Sequence, residues 1–235
     1  MLFGLLEDFP EVMHSVDNYY NNLPPIYAYL VVPLLTHIVV YYGYSFFWFL
    51  LDMTLDPRQY KFQPNVPNPS LRRYAHATIW ASVNIFGITV PLFAFFYYKG
   101  YMQNRGSTLA QLPGWIEFGK QITITLIFQE LIFYYAHYIL HLAPFYKPIH
   151  KWHHEFISPI AVASVYAHPI EHLLANVVAN SLGPLVTGMH VYLWITWSTI
   201  SIINVIHAHC GYAFKILNDR RHDLHHEKFL VNYGP

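Results

Sequence analysis

Charge is what this sequence has least of. Asp, Glu, Lys and Arg make up only 11% of its 235 residues, where globular chains carry roughly 25%. Thirteen basic and thirteen acidic residues cancel to a formal net charge of zero, which excludes the basic footprint of a nucleic-acid-binding protein. Cysteine is nearly missing: Cys210 stands alone, so neither an intrachain disulfide framework nor a cysteine-rich zinc fold can form. A single thiol of this kind reads as a small buried residue. No Lys or Arg occurs before Arg58, and residues 1–25 carry Glu7, Asp8, Glu11 and Asp17 instead. A secretory signal needs a basic start, so none is read there. The glycines form neither a dinucleotide-binding G-x-G-x-x-G nor a phosphate loop. Any redox chemistry must therefore draw its electrons from a separate protein. Solenoid repeats, low-complexity tracts and a soluble second domain are absent as well.

What fills the chain is apolar. Hydrophobic residues make up 54% and aromatics 18%, with a mean hydropathy of +0.26, the profile of an integral membrane protein. Tyr27 to Leu51, Ala75 to Tyr98 and Trp115 to Leu140 each exceed the ~20 residues needed to cross a bilayer. Pro91 is expected as a kink or helix end in the second run. A fourth apolar region, Leu173 to Ile206, reads as a hairpin turning at Gly183, Pro184 and Gly188. Most cations fall in the 52–74 loop, at Lys147 and Lys151, and at Lys215, Arg220, Arg221 and Lys228. The positive-inside bias puts all three groups on the cytosolic side. The expected fold is all-α: an integral membrane bundle of about four to five embedded helices under a cytosolic, histidine-rich metal-binding cap. Residues 1–25 are expected to form a non-membrane segment, and 26–235 a single membrane domain.

Sixteen histidines are the excess in this composition. His137 and His141 stand four apart, on one face of a helix. His150, His153 and His154 follow after Pro144 and Pro148, and His222, His225 and His226 repeat the same H-x-x-H-H spacing. With His209 these make nine clustered imidazoles, too many for one ion and suited to two. An all-nitrogen shell admits zinc, copper, iron or nickel. The Glu and Glu-x-x-His pattern of soluble di-iron bundles is missing. Glu130 lies inside an apolar run and is a functional candidate for that reason. It and Glu171 are the candidate catalytic acids, while Glu155, Asp219, Asp223 and Glu227 can orient ligand imidazoles. His168 and His172 flank a helix start at Pro169 and are expected to line the substrate pocket or support the ligands. His14, His37, His76 and His190 are read as structural.

The words LIFYYAHYILH, FYKPIHKWHHE, SVYAHPIEH, HCGY and HDLHHEKFLVNYG together resemble the fatty acid hydroxylase/sterol desaturase superfamily of membrane non-haem di-iron enzymes. The resemblance runs from about Ile26 to Pro235. It implies two iron ions held by His137, His141, His150, His153, His154, His209, His222, His225 and His226, and O2 as oxidant. The H-P-x-E word at His168 to Glu171 and the HCGY word resemble the C4-methylsterol monooxygenase side, including fatty acid hydroxylase domain-containing relatives. That side implies stepwise oxidation of a sterol C4-methyl group in the endoplasmic reticulum membrane. Electrons would come from NAD(P)H through a reductase and cytochrome b5, which the cations around Arg220 and Arg221 would meet by complementary charge. The alternatives within the resemblance are a fatty-acid or sphingolipid hydroxylase, a desaturase, or a non-catalytic member. Relatives carry a histidine four residues after His209, where this chain has Ala213, and His207 is the candidate replacement. They also continue past NYGP, so the sequence is expected to be truncated at its C-terminus.

Overall fold

An apolar run longer than twenty residues gives its backbone amides no partner in a bilayer except one another, so it must coil into helix. The computed structural model describes residues 9–214 and 220–234. Glu7, Asp8, Lys215, Asp219 and Pro235, which enter the sequence reading, lie outside the described residues. A surface helix α1, Phe9–Asn21, precedes the bundle. Four helices are long and apolar enough to cross a membrane: α2 (Tyr27–Thr54), α3 (Leu71–Tyr98), α4 (Trp115–Leu140) and, as numbered below, α6 (Val191–Ala208). Between α4 and α6 lies α5, residues 169–187. A short α7, Arg221–Lys228, carries the last histidine cluster. Among the described residues no strand forms, beyond one isolated antiparallel bridge of Lys61 with Tyr212.

Prolines leave their mark inside the spans. Pro33 and Pro91 each follow a widened π turn, Tyr27–Val31 and Ile85–Thr89 respectively. A proline lacks the N–H and crowds the carbonyl four residues back, and the wider turn absorbs both effects. The helix therefore runs on through Pro91 to Tyr98. The expected hairpin is present as α5 and α6, but its turn is narrower than the sequence implied. Gly188, at φ +63, ends α5 in the left-handed conformation, while Gly183 and Pro184 lie inside the helix. Gly183 serves close packing instead: a Cβ there would lie 2.5 Å from the Cα of Thr125 on α4, the small-residue contact on which membrane helices pack. Gly183→Ala is accordingly expected to cost about 1–3 kcal/mol by overpacking, read as a lower thermal midpoint in detergent.

The two ends of the bundle are fastened by buried cations. At one end Arg105 caps α5, donating from Nη1 to the carbonyls of Pro184 (2.7 Å) and Met189 (3.1 Å) while its guanidinium lies over Trp194. At the other end Lys61 meets Asp52 at 2.7 Å, and Lys61 also donates to the Cys210 carbonyl at 2.6 Å. The Tyr74 hydroxyl donates to the other Asp52 oxygen. This clamp joins the α2–α3 connection to the end of α6, beside an apolar cluster that includes Tyr41, Trp48, Ile160, Ile206 and Tyr212. The histidines sit at this second end.

Candidate metal centre

Four elements deliver the clustered histidines. His137 lies in the last turn of α4 and His141 caps that helix. After a one-turn helix that begins Ala143-Pro144, a 3₁₀ segment, His150–Glu155, presents His150, His153 and His154, all buried. His209 is the C-cap of α6, and α7 presents His222, His225 and His226, again buried. The nine imidazoles meet as two groups. His137, His141, His150, His154 and His225 form one, and His153, His209, His222 and His226 the other, with all ligand atoms of a group within 4.8 Å of each other.

Each H-x-x-H-H box is thus divided. The pairs four apart stay together (His150 with His154, His222 with His226), while His153 and His225 cross to the opposite group. On α7 the reason is helical geometry: positions 222 and 226 are four apart and share a face, while the successive positions 225 and 226 point about 100° apart.

In the five-nitrogen group, four Nε2 atoms close a ring. Its edges are His141–His150 2.9 Å, His150–His154 3.0 Å, His154–His225 3.1 Å and His225–His141 3.1 Å. In the four-nitrogen group the Nε2 contacts are His153–His209 3.2 Å, His209–His222 2.8 Å and His222–His226 3.0 Å. Donors at right angles around a metal, with bonds of about 2.1 Å, lie about 3.0 Å apart. The spacing is that of a coordination shell.

The outer ring nitrogens say the same. His137 donates from Nδ1 to the Tyr233 carbonyl (3.0 Å), His150 to Glu171 Oε1 (2.9 Å) and His225 to the Val231 carbonyl (2.6 Å). His153 donates to the Tyr166 carbonyl (3.2 Å) and His209 to the Val205 carbonyl (2.7 Å). With the proton on Nδ1, Nε2 carries the lone pair. His153 and His209 therefore point two lone pairs at each other, which a shared cation reconciles. Nε2 of buried His137 has no protein partner. Burial drives His150 down to about 3 and His153 and His225 down to about 4, so these rings are neutral at pH 7, the form a metal needs. Each group could hold one metal ion.

A cavity of about 110 Å³ opens from the four-nitrogen group into the bundle, where Phe133, His172, Asn176, Val205, His209 and His222 line it. His172 contacts Thr89 Oγ1 at 2.9 Å. His168 lies apart: it caps α5, its Nδ1 accepting from the Ile170 N–H at 3.2 Å, with its ring on Trp152. His37, read from sequence as structural, also borders the cavity, and His190 caps α6. Nothing in the sequence marks Thr89, Asn176 or Gln129 as lining residues, since isolated polar residues in a span carry no spacing signal.

Glu130 must be corrected. It is exposed on the outside of α4, whereas its neighbour Gln129 borders the cavity; one residue turns the helix about 100°. Glu171 is buried against His150, and burial pushes it up to about 8. A cation beside His150 would favour its charged form. Glu171→Gln is therefore expected to weaken metal retention or turnover 10–100-fold or so, as loss of an outer partner does. Glu130→Gln should stay within about twofold. Chelator challenge and turnover on the same membranes compare the two.

The His207 ring packs at a tilt against Trp48, 5.7 Å between ring centres, and is in neither nitrogen group. Ala213 follows the end of α6, where its N–H donates to the Tyr60 carbonyl at 2.8 Å, and its side chain is exposed. The four-nitrogen group is thus assembled without position 213.

The sequence profile of the fatty acid hydroxylase family matches residues 122–235, which contain all nine grouped histidines. Methylsterol monooxygenase erg25B of Aspergillus fumigatus is 31% identical over 217 residues, 87% of this chain and 73% of that protein. The chain belongs to the fatty acid hydroxylase family. Fatty acid hydroxylase domain-containing protein 2 of Macaca fascicularis is 42% identical over 125 residues, covering 53% of this chain. That alignment spans 38% of the primate protein's length. Fatty acid hydroxylase ahd1 of Mycosarcoma maydis is 33% identical over 178 residues, 75% of this chain and 46% of that protein. No solved structure matches the chain. The four membrane-length helices described above fit a multi-pass membrane protein.

Proposed function

We propose that this protein is a membrane non-haem di-iron oxygenase that oxidises the C4-methyl group of a sterol, drawing electrons from NAD(P)H through cytochrome b5 and its reductase. The observation that carries the reading is the pair of converging imidazole groups at the end of an intramembrane cavity. His137, His141, His150, His154 and His225 would hold one iron, and His153, His209, His222 and His226 the other. Bound there, the irons supply activation of O2 and oxidation of an unactivated C–H bond.

The chain's own groups prepare that chemistry. Glu171 fixes the ring of His150 and sets its tautomer. The carbonyls of Tyr166, Val205, Val231 and Tyr233 do the same for four further imidazoles. Phe133, Val205 and Ile202 give the cavity apolar walls that suit a lipid and exclude water, and His172, Thr89 and Asn176 supply polar contacts. The cations at Lys147, Lys151, Arg220, Arg221 and Lys228 share the histidine end of the sequence's topology, which the positive-inside bias puts on the cytosolic side, and the membrane proposed is that of the endoplasmic reticulum.

A fatty-acid hydroxylase reading has its own support, in the family profile and in the ahd1 relative. The deciding experiment supplies purified protein in nanodiscs with reductase, cytochrome b5, NADPH and O2, offering a 4-methyl sterol and a fatty acyl substrate separately. Oxidation at the sterol methyl group with close to two irons per chain is the expected result. Oxidation of the acyl chain alone moves the assignment, and a chain without iron that oxidises neither overturns both readings.

A further inference from the structure

The two nitrogen groups are not held equally. In the four-nitrogen group the outer contacts among the described residues end on settled backbone: the Val205 carbonyl within α6 and the carbonyl of buried Tyr166. In the five-nitrogen group two of the three outer contacts come from the segment that follows α7. His225 Nδ1 donates to the Val231 carbonyl at 2.6 Å, and His137 Nδ1 to the Tyr233 carbonyl at 3.0 Å. The Tyr233 ring also lies 4.9 Å from that of His141 and 5.7 Å from that of His225.

This segment reaches its position by two unusual bends. Phe229 at φ +66 and Asn232 at φ +55 are the non-glycine residues with positive φ among the described residues. The first stops α7, its N–H closing on the His225 carbonyl at 2.7 Å. The second brings Tyr233 back over the imidazoles. Asn is among the few residues that tolerate this conformation, and its side chain adds a latch: Nδ2 donates to the Arg221 carbonyl at 3.0 Å. On its outer side the Leu230 side chain is 74% exposed.

We propose that residues 229–233 are a clasp that positions the five-nitrogen group, so that the metal held there, and not its neighbour, depends on the clasp being closed. The inference rests on the two-metal reading above. Asn232, Val231 and Tyr233 are positioning residues: they act on the metal through His137 and His225. A carbonyl accepting from Nδ1 fixes both the tautomer and the direction of the ring, and loss of such a partner weakens metal binding 10–100-fold or so.

The test compares the full-length wild type with Asn232→Val and Asn232→Gly in nanodiscs. Valine removes the latch and opposes positive φ; glycine removes the latch alone. Each is loaded with iron, challenged with a chelator, and followed by metal content and Mössbauer spectrum, with thermal midpoints as a check on folding. The valine variant is expected to release one of two ions at least about tenfold faster than wild type, leaving a mononuclear spectrum, with glycine in between. Release of both ions at the wild-type rate, or of both together, overturns the clasp. A wild type that binds no iron overturns the metal reading itself and is distinguished by that.

Discussion

On the two-iron reading proposed above, alanine at His222 is expected to remove one iron from the chain and end turnover. Its Nε2 lies between those of His209 and His226, at 2.8 and 3.0 Å, and its side chain also borders the cavity. Three donors remain after the substitution. The loss of affinity should exceed about 100-fold, the upper end of what a missing outer partner costs. Iron content should fall from two per chain to one, and oxidation of the lipid should stop because the surviving ion sits in the other group. His207→Ala is the matched comparison, since His207 packs on Trp48 and belongs to neither group. It should keep both irons. An alanine variant at His222 that retains two irons would remove the four-nitrogen group from the metal centre.

The second large effect concerns folding. Lys61→Met leaves Asp52 as a buried charge without its partner. The side chains are 2% and 1% exposed and meet at 2.7 Å. Breaking one side of such a pair costs about 3–5 kcal/mol, and a thermal midpoint lower by about 6–20 °C follows for a chain of this size. Asp52→Asn combined with Lys61→Met should recover part of the loss, because no charge is then stranded, and the Tyr74 hydroxyl keeps an acceptor. Thermal melts in detergent give the double-mutant cycle. Equal losses in the single and the double variant would show that the pair matters through packing rather than charge. The clamp was not legible in the sequence, where Lys61 is only one of the cations of the 52–74 loop.

Other misreadings have the same origin. Glycine and proline end helices in water, so Gly183 and Pro184 looked like a turn; against Thr125 the missing Cβ is instead what lets α5 approach α4. An acid within a span is usually functional, so Glu130 looked catalytic, yet one position of rotation places it outside. The clasp carbonyls were invisible for a different reason. Backbone acceptors belong to every residue, and only their placement distinguishes Val231 and Tyr233.

Hydrophobic run length alone located the membrane helices, because an unpaired amide in a bilayer is too costly to leave; the first span is extended by only three residues, to Thr54. Residue type and spacing alone singled out eight histidines, since neutral imidazole is a ligand wherever it stands, and the HCGY word added His209. Which of them share an ion was decided by tertiary structure. His141 meets His225 from 84 residues away, His154 meets His225 from 71, and His153 meets His209 from 56. Local periodicity keeps partners four apart on one side, but it carries no information across such distances. The packing of α4, α6, α7 and the 3₁₀ segment supplies it, by bringing lone pairs from separate elements to within one coordination shell.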